Sequence, residues 1–153
     1  MVNLPYPAPN VHLPRDGGGS IDLEDLRPSN VVLFFYPRNN TSGCIKEAVG
    51  FTEKLLEFEA LNTKIIGVSK DSVTSHDKFV SKQDLKVALL SDENDGVCEK
   101  FGVWKEKSMY GKTYFGIERS TFLIDGAGNV VKEWRKVKVL GHVDAVLDAV
   151  KEL

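Results

Sequence analysis

The chain has 153 residues, 42% of them hydrophobic and 27% charged, with a formal net charge of −2. That length buries a core without staples, and the nearly balanced charge argues against a broad surface for nucleic acid or anionic membrane. Two cysteines exclude a disulfide framework and, with three scattered histidines, show no zinc spacing.

The opening, "MVNLPYPAPN", lacks the basic and apolar regions of a signal peptide, and no apolar run is long enough to cross a bilayer, so a reducing, cytoplasmic setting is expected. Pro5, Pro7, Pro9 and Pro14 keep the first segment extended, because proline cannot join a helix interior. "VHLPRDGGGSIDL" reads as a short hairpin around Asp16-Gly17-Gly18, where positive φ is cheap. "NVVLFFY", 30–36, is a continuous β-branched and aromatic run, the mark of a strand buried on both faces. From about Ser42 to Leu61, the positions Ile45, Ala48, Val49, Leu55, Leu56 and Phe58 recur at helical spacing. "TKIIGVS" is a second buried strand, and "DSVTSHDKFVSKQ" a helix with Asp71 as candidate N-cap. "KVALLSD" is a third strand and "NDGVCEKFGVW" a short helix. After an irregular, glycine-containing stretch, "RSTFLIDGAGNVVKEWRKV" predicts a hairpin turning at 126–129. "GHVDAVLDAVKEL" closes the chain as an amphipathic helix with Val143, Val146, Leu147 and Val150 on one side. Buried strands separated by helices predict one α/β domain over 1–153, with a mixed β-sheet flanked by helices.

The residue that carries chemistry is Cys44, in "FFYPRNNTSGCIKEAVGF". In open α/β folds chemistry gathers where strand gives way to helix. Cys44 falls there, in the first turn of the expected helix, whose free N–H groups and dipole favour a thiolate. Arg38 and Lys46 are cations nearby in sequence, while a charged Glu47, three residues on, works the other way. The competing reading of such a cysteine is a small packed thiol without chemistry. A thioredoxin-type C-x-x-C pair is disfavoured, because the position three before Cys44 is Thr41.

"PRNNTSGC" fits the peroxiredoxin pattern of proline, three residues, threonine, two residues, cysteine. With "GVSKDSVTSHDKF", "LLSDENDGVCEKFGVWKEK", "MYGKTYFGIERSTFLID" and "EWRKVKVLGH", the chain from about Leu23 onward resembles the Q-type, or bacterioferritin comigratory protein, branch of that family. The resemblance implies a thioredoxin fold and reduction of hydrogen peroxide and alkyl hydroperoxides through a cysteine sulfenic acid, with no cofactor and no metal. It makes Cys44 the nucleophile, with Pro37 and Thr41 upstream, Arg119 as partner arginine, and Glu47 as the glutamate of the first helical turn. Two departures stand out. Ser42 replaces a usual proline, and the resolving cysteine that many members carry five residues after the nucleophile is here Val49. Another subset places it near what is here Val80, also apolar.

Ionising the thiol is not enough for such a reaction. Lowering any thiol pKa from ~8.5 to ~6 raises its thiolate fraction at pH 7 roughly 30-fold. A Brønsted slope of ~0.4–0.5 then removes about 10- to 18-fold of that gain in lost nucleophilicity. The rate must come from groups that bind charge developing on the peroxide oxygens. Thr41 is suited to hold the peroxide in line, since its hydroxyl donates and accepts; helix capping is its other reading. Arg119 offers fixed donors to both sulfur and oxygen. Pro37 restricts the loop, or simply ends the strand.

Cys98, three before Phe101, has core spacing and reads as a packed thiol. His12, His76 and His142 read as surface or capping residues, and Trp104, Trp134 and Tyr110 as packing, with the stretch from Lys105 to Gly116 available to wall a substrate pocket. The expectation is a one-cysteine thiol peroxidase, a monomer or weak dimer, reduced by thioredoxin, glutaredoxin or glutathione. A peroxide sensor, or a binding module without turnover, is the alternative.

Overall fold

The structure, a computed structural model, describes residues 3–153. The extended opening supplies β1 (Tyr6–Pro7), and the glycine hairpin β2 (His12–Pro14) and β3 (Ser20–Asp22). A 3₁₀ turn over Leu23–Leu26 leads into β4 (Asn30–Phe35), then α1 (Ser42–Glu53), α2 (Leu55–Ala60) and β5 (Thr63–Ser69). Next come α3 (Val73–Gln83), β6 (Ala88–Ser91) and α4 (Val97–Lys100), and two hairpins follow, β7 (Trp104–Met109) with β8 (Lys112–Ile117) and β9 (Ser120–Ile124) with β10 (Asn129–Trp134). The helix α5 (His142–Lys151) closes the chain.

The main sheet runs β1-β10-β9-β4-β5-β6. Helical crossovers make β4, β5 and β6 parallel, while β9 returns antiparallel along β4, so the sheet is mixed as expected. Strand β4 lies inside it, and alternation sends its side chains into two cores. Val32, Phe34 and Tyr36 pack with Cys44, Phe51 and Val146 on the face covered by α1 and α5. Val31, Leu33 and Phe35 pack on the other face with Leu13, Cys98 and Phe101.

Four expectations need correction. The helix from Ser42 to Leu61 is two helices, broken at Lys54, and the break turns Phe58 into the core while Leu56 is left 81% exposed. Ser72, not Asp71, caps α3, accepting from the Ser75 N–H at 3.1 Å. Asp71 faces the other way, accepting from the Ser69 hydroxyl (2.7 Å) and the Asn39 N–H (2.9 Å). The stretch 105–116 is not irregular but the paired strands β7 and β8, joined by Tyr110-Gly111, both at positive φ. Tyr110 therefore stands at the hairpin tip, 97% exposed, and does not pack. Nor are His76 and His142 surface residues; both are buried, whereas exposed His12 fits its reading. Among the described residues no helix is long and apolar enough to cross a membrane.

Candidate active site

After β4 the chain keeps one more sheet contact, Tyr36 N–H to Val68 carbonyl at 3.1 Å, before Pro37 turns it into the loop. Thr41 holds the extended N-cap conformation, and its carbonyl accepts from the Ile45 N–H at 2.9 Å. Its hydroxyl does not cap the helix; it donates back to the Arg38 carbonyl at 2.9 Å, which fixes its rotamer. Cys44 then falls in the first turn of α1, a free thiol only 1% exposed.

Arg119, just ahead of β9, comes to Cys44 across 75 residues of chain. Its Nη2 donates to Cys44 Sγ at 3.4 Å, and its Nη1 to Glu47 Oε1 at 2.7 Å. One planar guanidinium thus serves the sulfur and the carboxylate, a fork that lysine has no geometry to copy. Glu47 lies one turn after Cys44 and is fully buried. Burial pushes its carboxyl up to about 7, against the pull of Arg119. Its second oxygen, Oε2, has no hydrogen-bond partner among the described residues; His142 Nε2 stands 3.9 Å away and is paired with Thr121 Oγ1 at 2.8 Å. Burial, and then the charge of Arg119, lower His142 to about 4, so it is a neutral neighbour at pH 7.

Gly43 makes room for this arrangement, since a Cβ there would meet Arg119 Nη2 at 3.0 Å. Alanine favours a helix over glycine by about 1 kcal/mol. Gly43→Ala should therefore leave thermal stability undiminished while slowing peroxide reduction about 10-fold, because it displaces the guanidinium from the sulfur. A purified variant with the wild-type rate would show that the close approach does not matter.

Buried polar groups brace the loop that carries Pro37 and Thr41. Asn39 accepts from the Tyr36 hydroxyl at 2.7 Å and gives its amide to His76 Nδ1 (3.0 Å) and Ser75 Oγ (3.0 Å). The Leu90 carbonyl, 2.8 Å from His76 Nε2, can only accept, so the proton sits on Nε2 and Nδ1 accepts from Asn39. The sequence reading missed this brace because its members lie 37 residues apart. Gly43 carries a sequence signal of its own, a glycine in the first turn of a helix.

Thr41 and Pro37 border a cleft of 540 Å³ whose opposite wall, with Trp104, Lys107, Phe115 and Ile117, is the β7–β8 hairpin. Thr41, Pro37, Cys44, Glu47 and Arg119 thus gather at one end of the sheet. Cys98 is elsewhere. It belongs to the core on the other face, where burial and the neighbouring Asp92 push its thiol up. Val49 and Val80 pack against the core that holds Cys44. Trp134 is a packing residue, its ring edge-on to His142 at 5.8 Å.

Residues 5–133 match the AhpC/TSA family. Peroxiredoxin Bcp of Xanthomonas campestris is 46% identical over 151 residues, covering 99% of this chain and 94% of that protein. Among solved structures, a cysteine-to-serine variant of Xylella fastidiosa PrxQ superposes with a TM-score of 0.93 at 40% identity, covering 99% of this chain and 97% of that one. The bacterioferritin comigratory protein of Xanthomonas campestris, solved as trapped intermediate and ligand complexes in a study of its alkyl peroxide reduction activity, gives 0.88 at 47% identity over 93% and 90% of the two chains. The mixed sheet with its flanking helices is the thioredoxin fold of these proteins.

Proposed function

The chain belongs to the AhpC/TSA family and is a peroxiredoxin, a thiol-dependent peroxidase; from that premise we propose that Cys44 is its peroxidatic sulfur and Arg119 the electrostatic partner. The observation that carries this reading is the shared guanidinium, 3.4 Å from Cys44 Sγ and 2.7 Å from Glu47 Oε1. The Cys44 thiolate attacks the outer oxygen of hydrogen peroxide or an alkyl hydroperoxide. The S–O bond forms as the O–O bond breaks, and sulfur takes up the hydroxyl as a sulfenic acid. The departing hydroxide or alkoxide becomes water or alcohol on gaining a proton. Thr41 holds the peroxide in line, Pro37 stiffens the loop, and Glu47 keeps Arg119 in place.

The cycle closes on an outside thiol. Cys98 lies in the opposite core, and a disulfide needs Cα atoms within ~7 Å. Val49 and Val80 offer no sulfur. Thioredoxin, glutaredoxin or glutathione therefore fits as reductant, and two free thiols fit a reducing cytoplasm. Outside the β7–β8 hairpin the exposed large apolar side chains are scattered over separate segments, in keeping with a monomer or weak dimer. Peroxide consumption in excess dithiothreitol tests the reading. Repeated turnover is expected, and unchanged turnover in Cys98→Ser. One equivalent consumed, then silence, would make the protein a sensor, and no consumption an inert scaffold.

A further inference from the structure

The β7–β8 hairpin brings one more ionisable group to the cleft. Lys107 lines it across from Thr41 and Pro37, with its stem half-buried. The stem runs past Gly116, where a Cβ would be in ordinary van der Waals contact, 3.5 Å from Lys107 Cδ and 3.6 Å from Cε. The ammonium is anchored by donating to the Ile117 carbonyl at 2.5 Å. One backbone acceptor leaves two of its three N–H groups for another partner, and no carboxylate is within salt-bridge reach among the described residues.

The reaction at Cys44 has a need that the residues so far named do not meet. An alkoxide or hydroxide is far too basic to persist near neutral pH, so the leaving oxygen needs a proton. Arg119 does not give one up, and the Thr41 hydroxyl can relay a proton but not supply one on balance. We propose that Lys107 is a further catalytic residue, the general acid that protonates the oxygen leaving as the peroxide bond breaks. The inference rests on the reading of Cys44 as the attacking thiolate. In balance, Cys44–S⁻ and R–O–OH give Cys44–S–OH and R–O⁻, and Lys107–NH₃⁺ and R–O⁻ then give R–OH and Lys107–NH₂. The amine regains its proton from solvent through the open cleft.

The surroundings favour proton release. Burial, and then the positive charge of Arg119, lower the Lys107 pKa from the ordinary lysine value, while Glu118 and Cys44 act the other way. The other titratable and charged groups facing it are Tyr114, its pairing partner on β8, and Arg38, Lys70 and Asp71 from the far wall. An acid closer to the working pH transfers its proton more readily. The sign follows. Peroxide reduction falls on the alkaline side as Lys107 loses its proton.

Two substitutions separate proton donation from charge. Lys107→Met removes both, whereas Lys107→Arg keeps the charge without a transferable proton. The wild type and both variants, as full chains, are assayed with cumene hydroperoxide, with peracetic acid and with iodoacetamide. Cumene hydroperoxide releases a basic alkoxide, while peracetic acid releases acetate and iodoacetamide iodide, neither of which needs a proton. Both variants should lose ~10²-fold with cumene hydroperoxide, the scale of general-acid catalysis, and the alkaline fall in rate should vanish. With peracetic acid and iodoacetamide they should stay within about 3-fold of wild type. Full hydroperoxide activity in Lys107→Arg would overturn the proposal in favour of charge alone, and that variant decides the matter even if Lys107→Met fails to fold. An equal loss with all three reagents would overturn it too, making Lys107 a support of the thiolate. A wild-type protein that consumes no peroxide would instead sink the reading of Cys44, a result distinct from either.

Discussion

Cys44→Ser should abolish peroxide reduction and leave the fold standing. Serine is nearly the size of cysteine, so the 1%-exposed site keeps its packing. The new hydroxyl can accept from Arg119 Nη2 where sulfur did, so no buried donor is orphaned. What disappears is the nucleophile, because an alcohol next to one guanidinium stays un-ionised at neutral pH, and among the described residues no base is hydrogen-bonded at that position. The expected rate is that of buffer, with thermal stability close to wild type. Peroxide consumption above background in the variant would move the chemistry to another group, and Cys98 would be the first to examine.

Arg119→Ala should slow peroxide reduction by at least ~10²-fold, the scale for removing one oriented donor from a developing charge. It should also weaken the protein, for a separate reason. Glu47 is fully buried and Arg119 is its ion-pair partner, so truncation leaves a buried carboxylate unpaired, at a cost of about 3–5 kcal/mol when ionised. That cost depends on pH. Glu47 is already raised from 4.5 to about 7, so the folded state holds its proton more tightly than the unfolded chain does. The stability it contributes is complete below about 4.5 and lost as pH rises through about 7, worth about 3 kcal/mol in all. Without Arg119 this window extends to higher pH, so the variant should lose more stability between pH 6 and 8 than wild type. Adding Glu47→Gln removes the charge and should restore stability without restoring the rate. Recovery of both would mean that Arg119 serves only to neutralise Glu47.

The difference between what was legible and what was not follows from range. The run Asn30–Tyr36 reads as a doubly buried strand because every residue after Asn30 is apolar or β-forming, and β4 lies inside the sheet with both faces covered. The strands β7 and β8 stand away from the main sheet with most of both faces exposed, so charged and polar residues such as Lys105, Glu106, Lys112 and Thr113 leave no alternation to read. At the site, Cys44 announces itself by its place at a strand-to-helix junction. The gathering of Arg119 on Cys44 and Glu47, with His142 beside that carboxylate, does not, because Arg119 lies between β8 and β9 and His142 on α5, joined to α1 only by the fold. His142, expected at the surface or in a cap, is buried for that reason. Nothing local to "LGHVDAV" indicates that its ring is closed in by Phe51 and Trp134 beside a buried carboxylate.

In the proposed cycle Cys44 alone carries the oxidising equivalent between peroxide and an outside thiol. The most direct measurement is the intact mass of the fully reduced protein after one equivalent of hydrogen peroxide, with the modified peptide then sequenced. One added oxygen on Cys44, open to a sulfenic-acid trap and identical in Cys98→Ser, is the predicted result. A loss of two hydrogens, with Cys44 and Cys98 joined in one disulfide-linked peptide pair, would contradict it.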